Sequence, residues 1–268
     1  MNQKFAIGAA LAGAAVLGAL AVAYSNAQTS SGEFSPSQED AIKEIVRQYI
    51  VDHPDEVLDA VNSYISQRQI DAAAESKKTA EQYARDNLSE LLDDRHGFAA
   101  GANPAAAQVA VVEFFDYHCG FCKRSTPFVK ELTKSDPAVK VVFREYPILR
   151  EESEYAAEAA LASRAQGKYT EFHFAMMNAS GLINKERAQE IAKSVGIDLS
   201  ALDKEIQNPD IKKAIDETHR ITSEMAVDGT PTFIVASLNG KYVEVIQGAD
   251  TDGVKAAIAE AKKAAKKG

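Results

Sequence analysis

The periodicities along this chain predict an α/β domain with an inserted helical block, preceded by a helical N-terminal region. Three observations carry that expectation. Val109, Val111, Val112, Phe114 and Phe115 form a nearly continuous apolar run, as a strand buried on both faces requires. A helical stretch and a second β-branched run, Val139 to Phe143, follow and complete a βαβ unit. Far downstream, Thr232 to Val235 and Tyr242 to Ile246 read as a hairpin across Leu238-Asn239-Gly240. The order is therefore βαβ, helices, then ββα.

The elements can be taken in turn. Lys4 precedes an Ala/Gly-rich apolar run from Phe5 to Ala23, and small-residue cleavage sequences follow at Ala21-Val22-Ala23 and Ser25-Asn26-Ala27. Residues 1–27 thus read as a secretory signal, with an uncleaved anchor as the alternative. Either reading places the rest of the chain in the periplasm or cell envelope. Ser35-Pro36 has the form of an N-cap followed by proline at the first helical position. Ile42, Ile45, Val46, Tyr49 and Ile50 then recur at helical spacing. His53-Pro54 ends that helix and starts another, with Val57, Leu58, Val61 and Ile65 on one face. Gln69 to Leu92 is Ala- and charge-rich and reads as a long exposed helix.

Gly97 to Ala107 contains Gly101, Asn103 and Pro104 and reads as a linker. It divides a helical region, 28–96, from the main domain, 97–268. Two short helices cannot easily bury their apolar stripes against each other and remain stable alone. They are therefore expected to mediate oligomerisation. Within the main domain, 151–225 is the helical insertion. Gly167 and Gly196 read as helix stops, and Asn184 and Asn208-Pro209 as starts. A final helix places Val254, Ala257, Ile258 and Ala261 on one face.

Composition narrows function by exclusion. The 268 residues are 46% hydrophobic and 26% charged, which is ordinary for a globular chain. A net charge of −9 argues against nucleic acid as a partner, because phosphate binding needs a concentrated basic face. The cluster Lys262, Lys263, Lys266 and Lys267 reads as a solvated last helical turn.

The chemistry concentrates in its two cysteines, Cys119 and Cys122. A disulfide across so short a loop gains little as a staple. A zinc site needs about four ligands, and His53, His96, His118, His173 and His219 show no ligand spacing. The pair instead sits where a buried strand meets a helix start. Free backbone N–H groups there favour thiolate, the nucleophile of disulfide exchange. Cys119 is the expected nucleophile and Cys122, one turn on, the resolving thiol. Lys123 and Arg124 add positive potential. Two soft thiolates also suit Cu(I), so a copper-binding envelope protein remains an alternative. His118 reads either as a cationic imidazole beside the thiolate or as a simply exposed residue. His173, Met176 and Met177 read as packing residues.

Glu113-Phe114-Phe115-Asp116-Tyr117-His118-Cys119-Gly120-Phe121-Cys122-Lys123, with Gly229-Thr230-Pro231-Thr232-Phe233 downstream, resembles the DsbA-like thioredoxin family. The resemblance runs from about Gln108 to the C-terminus. The N-terminal helices, with Tyr49, His53-Pro54, Val57 and Leu58, are similar to those of the ScsC subgroup, which includes trimeric disulfide isomerases associated with copper tolerance. The resemblance implies a thioredoxin fold and a cis Thr230-Pro231 bond facing the cysteines. It also implies that Glu113 is a buried acid relaying the proton of Cys122. No cofactor beyond the redox pair is implied. The implied partners are exported proteins with disulfides, a membrane redox partner and further copies of the chain, as in a trimer. One departure bears on direction. Gly120-Phe121 stands where a strongly oxidising DsbA has Pro-His. That favours isomerase or reductase over oxidase, which stays the nearest alternative.

Overall fold

The computed structural model describes residues 34–266, so the predicted signal segment lies outside the described residues. The chain forms two units that part after Arg68.

In the first unit, α1 (Pro36–Asp52) starts on a complete capping box. The Ser35 side chain accepts from the Gln38 N–H, and the Gln38 side chain accepts from the Ser35 N–H. His53 caps the C-terminus of α1, and α2 (Pro54–Asp86) begins at the proline. The predicted break is therefore where the sequence put it. Ile42, Ile45, Val46, Tyr49 and Ile50 of α1 are exposed, as are Leu58, Val61 and Ile65 of α2.

The second unit is built on a five-stranded sheet of order β1-β3-β2-β4-β5. Its strands are β1 (Phe98–Ala100), β2 (Val109–Phe115), β3 (Val139–Glu145), β4 (Thr232–Ser237) and β5 (Val243–Gln247). Only β2 and β3 are parallel, in register from Val109↔Val139 to Phe115↔Glu145. The helix α4 (Gly120–Ser135) connects them, after the single turn α3 (Leu88–Leu91). Every residue of β2 is buried, which accounts for its unbroken apolar run.

Side chains alternate across the sheet. Val109, Val111 and Phe115 join Val129 of α4, Val254 and Ala261 of α10 (Thr251–Ala265) and much of the helical block in one core. That block comprises α5 (Glu151–Ala162), α6 (Tyr169–Asn178), α7 (Lys185–Ser194), α8 (Leu199–Ile206) and α9 (Pro209–Glu224). Asn184 and Asn208 are N-caps, as predicted. Val112, Phe114, Ile234 and Val245 face the other way.

That second face corrects two expectations. Ala80 and Ala84 of α2 and Leu91 of α3 are fully buried in the same cluster as Val112 and Phe114. The stretch read as an exposed helix is therefore a cover for the sheet. Small side chains let its backbone come close, and their weak hydrophobicity hid the stripe. Arg144 of β3, itself buried, donates through Nε and Nη2 to the Leu91 carbonyl and through Nη2 to that of Glu90. It caps the end of α3, where the Glu90 carbonyl also accepts the Asp93 N–H.

The boundary near Gly97 also moves. Residues 69–96 belong with the catalytic unit, and Phe98–Ala100 forms β1, paired antiparallel to β3. A Cβ on Gly97 would meet the Phe143 carbonyl oxygen at 2.7 Å, so glycine there permits the close approach of β1 rather than marking a linker.

Ala84→Leu should lower the unfolding free energy by about 1–3 kcal/mol in urea titration, through overpacking of the second face. An exposed helix would tolerate the change at no cost.

Candidate functional site

β2 ends against β4, in the register Phe114↔Thr232. This pairing brings the turn before β4 to the residues that follow β2. Thr230-Pro231 is a cis peptide bond. Its position is held by Gly248, whose N–H donates to the Pro231 carbonyl at 2.8 Å, and by Thr232, whose hydroxyl donates to Gly229 O at 2.8 Å.

Cys119 is the N-cap of α4. Its sulfur accepts from the Cys122 N–H at 3.3 Å, and its thiol donates to the Thr230 carbonyl at 3.1 Å. Only 4% of the residue is exposed. The hydrogen bond from the Cys122 thiol lowers the Cys119 pKa to about 6, against opposition from burial and with help from the Thr230 side chain and the N–H groups of Cys122 and Phe121. Burial pushes the Cys122 thiol far up, and its contact with Cys119 and the charge of Glu113 act in the same direction. The two thiols are thus sharply distinguished. Among the described residues no group of three or more His, Cys, Asp or Glu side chains could hold a metal ion.

Glu113 is 2% exposed, on the face of β2 that carries Val111 and Phe115. Burial, and then the charge of Cys119, raises its carboxyl to about 8. It sits close enough to Cys122 to influence that thiol directly.

His118 differs from the expectation of a cationic neighbour to the thiolate. Its side chain is only 4% exposed. Nε2 accepts the Ile183 N–H at 3.0 Å, so the proton of the neutral ring lies on Nδ1, 2.9 Å from the Ser153 hydroxyl. Burial lowers its pKa, and Arg150 and Lys123 oppose a further positive charge. The ring is a neutral brace turned into the helical block.

Sequence reasoning missed the residue that anchors this brace. The carboxylate of Asp116 accepts from the His118 N–H (2.7 Å), the Ser153 hydroxyl (2.9 Å) and the Ile148 and Leu149 N–H groups (2.9 and 3.0 Å). A second buried carboxyl, Glu145, accepts from Tyr117 and Tyr169 at 3.1 and 2.8 Å. Tyr117 also meets His173 Nδ1 at 3.1 Å, so His173 is a packing residue, as expected. The available signal was an acid closing each of two apolar strands. Of the two cations after Cys122, Arg124 lies 3.9 Å over the Phe121 ring and Lys123 donates to the Ala179 carbonyl.

Known proteins are similar to this chain in sequence and fold. A thioredoxin-like oxidoreductase from Silicibacter pomeroyi DSS-3 is 37% identical, with a TM-score of 0.60 over 65% of this chain and 97% of that one. ScsC from Proteus mirabilis, at 21% identity, shares the fold over 85% of this chain and 98% of its own, with a TM-score of 0.58. Thiol:disulfide interchange protein DsbA of Bordetella pertussis is 26% identical over 54% of this chain and 71% of its own length. The chain spans about a fifth (21%) of the length of the first curated relative that it matches, Na(+)/H(+) antiporter NhaA 3 of Salinispora tropica, at 28% identity over 49% of this chain. The family profile described as DSBA-like thioredoxin domain matches residues 110–259, more than half of the sequence. The matched span holds both the paired-cysteine helix start and cis Thr230-Pro231, and the chain belongs to the DSBA-like thioredoxin domain family.

Proposed function

We propose that this protein is an exported thiol–disulfide oxidoreductase that reduces and reshuffles disulfides of exported proteins through Cys119 and Cys122. The observation that carries the reading is the contrast between the two thiols. One has its pKa lowered at a helix N-terminus, and burial pushes that of the other far up.

The chemistry follows from that contrast. The Cys119 thiolate attacks one sulfur of a substrate disulfide. A mixed disulfide forms and the other substrate sulfur leaves as thiolate. Cys122 then gives its proton to ionised Glu113 and attacks the Cys119 sulfur, which releases the substrate's second thiolate and leaves the Cys119–Cys122 disulfide. In the mixed disulfide Cys119 no longer carries a charge. One of the two influences that raise the Glu113 pKa is then gone, so the carboxyl ionises more readily when a base is needed. Return of a substrate thiol onto the mixed disulfide, before Cys122 acts, gives isomerisation instead.

Gly120-Phe121 supports the isomerase or reductase direction, because the Phe121 side chain offers the thiolate neither charge nor hydrogen bond. The exposed apolar faces of α1 and α2 support self-association through the first unit, with a trimer as the expected state. Several Cys119 sites in one particle would let one hold a client while another attacks. An oxidase that donates its own disulfide is the alternative if the protein is monomeric.

The rate of iodoacetamide alkylation should rise with pH around a midpoint near 6 for Cys119, against about 8.5 for a free thiol. Cys122 should remain unmodified at neutral pH, and faster reaction there would reverse the assigned roles. Glu113→Gln should slow resolution of the mixed disulfide by about a hundredfold or more. Ionised Glu113 is the acceptor and the Cys119 charge is absent in the mixed disulfide, so wild-type resolution should climb with pH around a midpoint below the value of about 8 in the reduced protein, and that limb should vanish in the variant. Light scattering should find the full chain oligomeric. A chain beginning at Gln69, which keeps the cover of the second sheet face, should be monomeric. It should reduce disulfides yet fail to refold a scrambled substrate. A monomeric full-length protein would shift the reading to the oxidase.

A further inference from the structure

Beside the nucleophile lies a cavity of about 450 Å³ that the exchange chemistry leaves unused. Its walls are His118, Lys123, Arg150 and the loop 179–182. Two of its lining residues, His118 and Lys123, flank the Cys119–Cys122 pair in the chain.

Its charge is unusual for a chain of net charge −9. Lys123 is half-buried, and its ammonium donates to the neutral carbonyl of Ala179. Arg150 is exposed at the start of α5. Among the described residues, neither cation has a carboxylate within the 4.0 Å of an ion pair. Asp116 lies near but is already filled by two N–H groups of the 148–149 loop, the His118 N–H and the Ser153 hydroxyl. Glu152 lies within electrostatic reach of His118 and forms no ion pair with Arg150. The neutral His118 ring contributes no charge of its own, since Nε2 is occupied by Ile183. Two cations therefore converge on a recess whose remaining wall is backbone and the exposed Leu182. Half-buried Lys123, with Asp116 near it but no carboxylate in contact, and exposed Arg150 are the cations an anionic ligand would meet.

We infer that this recess is a subsite for a carboxylate carried next to the disulfide of a polypeptide substrate. The inference rests on the exchange reading above and adds a preference to it. A client segment that crosses Thr230 and presents its sulfur to Cys119 places a neighbouring side chain at the recess. Acidic flanks are held by Arg150 and Lys123, and basic flanks are repelled.

The test uses the full-length reduced protein and the symmetrical disulfides of three blocked peptides, Glu-Cys-Glu, Gln-Cys-Gln and Lys-Cys-Lys, with glutathione disulfide as a fourth probe. Rates of Cys119 oxidation are read in low and high salt. The Glu peptide should react about fivefold faster than the Gln peptide in low salt, and the Lys peptide slower than both, although the overall negative charge of the chain predicts the reverse order. High salt should compress the differences. The Glu-to-Gln rate ratio should fall towards one in Arg150→Gln and in Lys123→Met, and should invert in Arg150→Glu. It should be unchanged in Lys263→Gln, an equal charge loss on α10, which lines no part of the recess. Equal Glu and Gln rates in the wild type, or a ratio that survives all three changes at the recess, would overturn the subsite. Dependence on Arg150 confined to glutathione disulfide would also overturn it, in favour of a small-molecule thiol site. Failure to react with all four probes would overturn the exchange reading itself.

Discussion

A helix N-terminus leaves backbone N–H groups without intrahelical partners, and in this chain the sulfur of Cys119 takes one of them. That capping contact ties structure and reactivity together. An alcohol or carboxylate would also serve as a cap, but only sulfur makes the cap a nucleophile for disulfide exchange. The contact requires the end of β2 and the start of α4 to stay in register, and β4 must deliver Thr230 to the same sulfur. The thiol–thiol hydrogen bond from Cys122 further requires the second cysteine to lie one turn beneath the first.

The turn before the cap is held by buried polar groups rather than by packing alone. Asp116 satisfies four donors from three segments, among them the N–H of His118 and the hydroxyl of Ser153. Glu145 gathers two tyrosine hydroxyls at the end of the neighbouring strand. Buried acids of this kind are tolerated because their hydrogen-bond demand is met. They fix the loop so that the His118 ring faces the helical block and the Cys119 sulfur faces Thr230. The same rigidity holds open the recess between Lys123 and Arg150, and so couples the nucleophile's placement to the charge that a substrate would meet beside it.

The two faces of the sheet are covered by different means. One carries helices of the insertion together with α4 and α10, and these have large apolar side chains at helical spacing. The other is covered by the alanines of α2, by Leu91 and by the end of α9. Without that cover Phe114 and Ile234 would face water. The catalytic unit must therefore include residues that sequence composition assigns to a separate stalk. The exposed stripes of α1 and the first half of α2 are a different matter, because in the first unit their apolar side chains are left open.

The sequence by itself determined the elements that local chemistry dictates. The Ser35-Pro36 helix start, the His53-Pro54 break, the doubly buried run of β2, the hairpin at Gly240 and the asymmetric cysteine pair were all legible. Each rests on neighbours within a few residues, through capping, proline geometry, alternation or the free N–H groups of one helical turn. The motif resemblance added Glu113 and Thr230-Pro231, although these stand far from one another along the chain. Only the tertiary structure decided the rest. It turned an alanine-rich helix into a sheet cover, because methyl groups bury well only when another surface comes close. It made three residues of an apparent linker into β1, because pairing with β3 depends on a partner some forty residues away. It made His118 neutral, because the donors and cations around that ring come from loops and helices that no local pattern brings together.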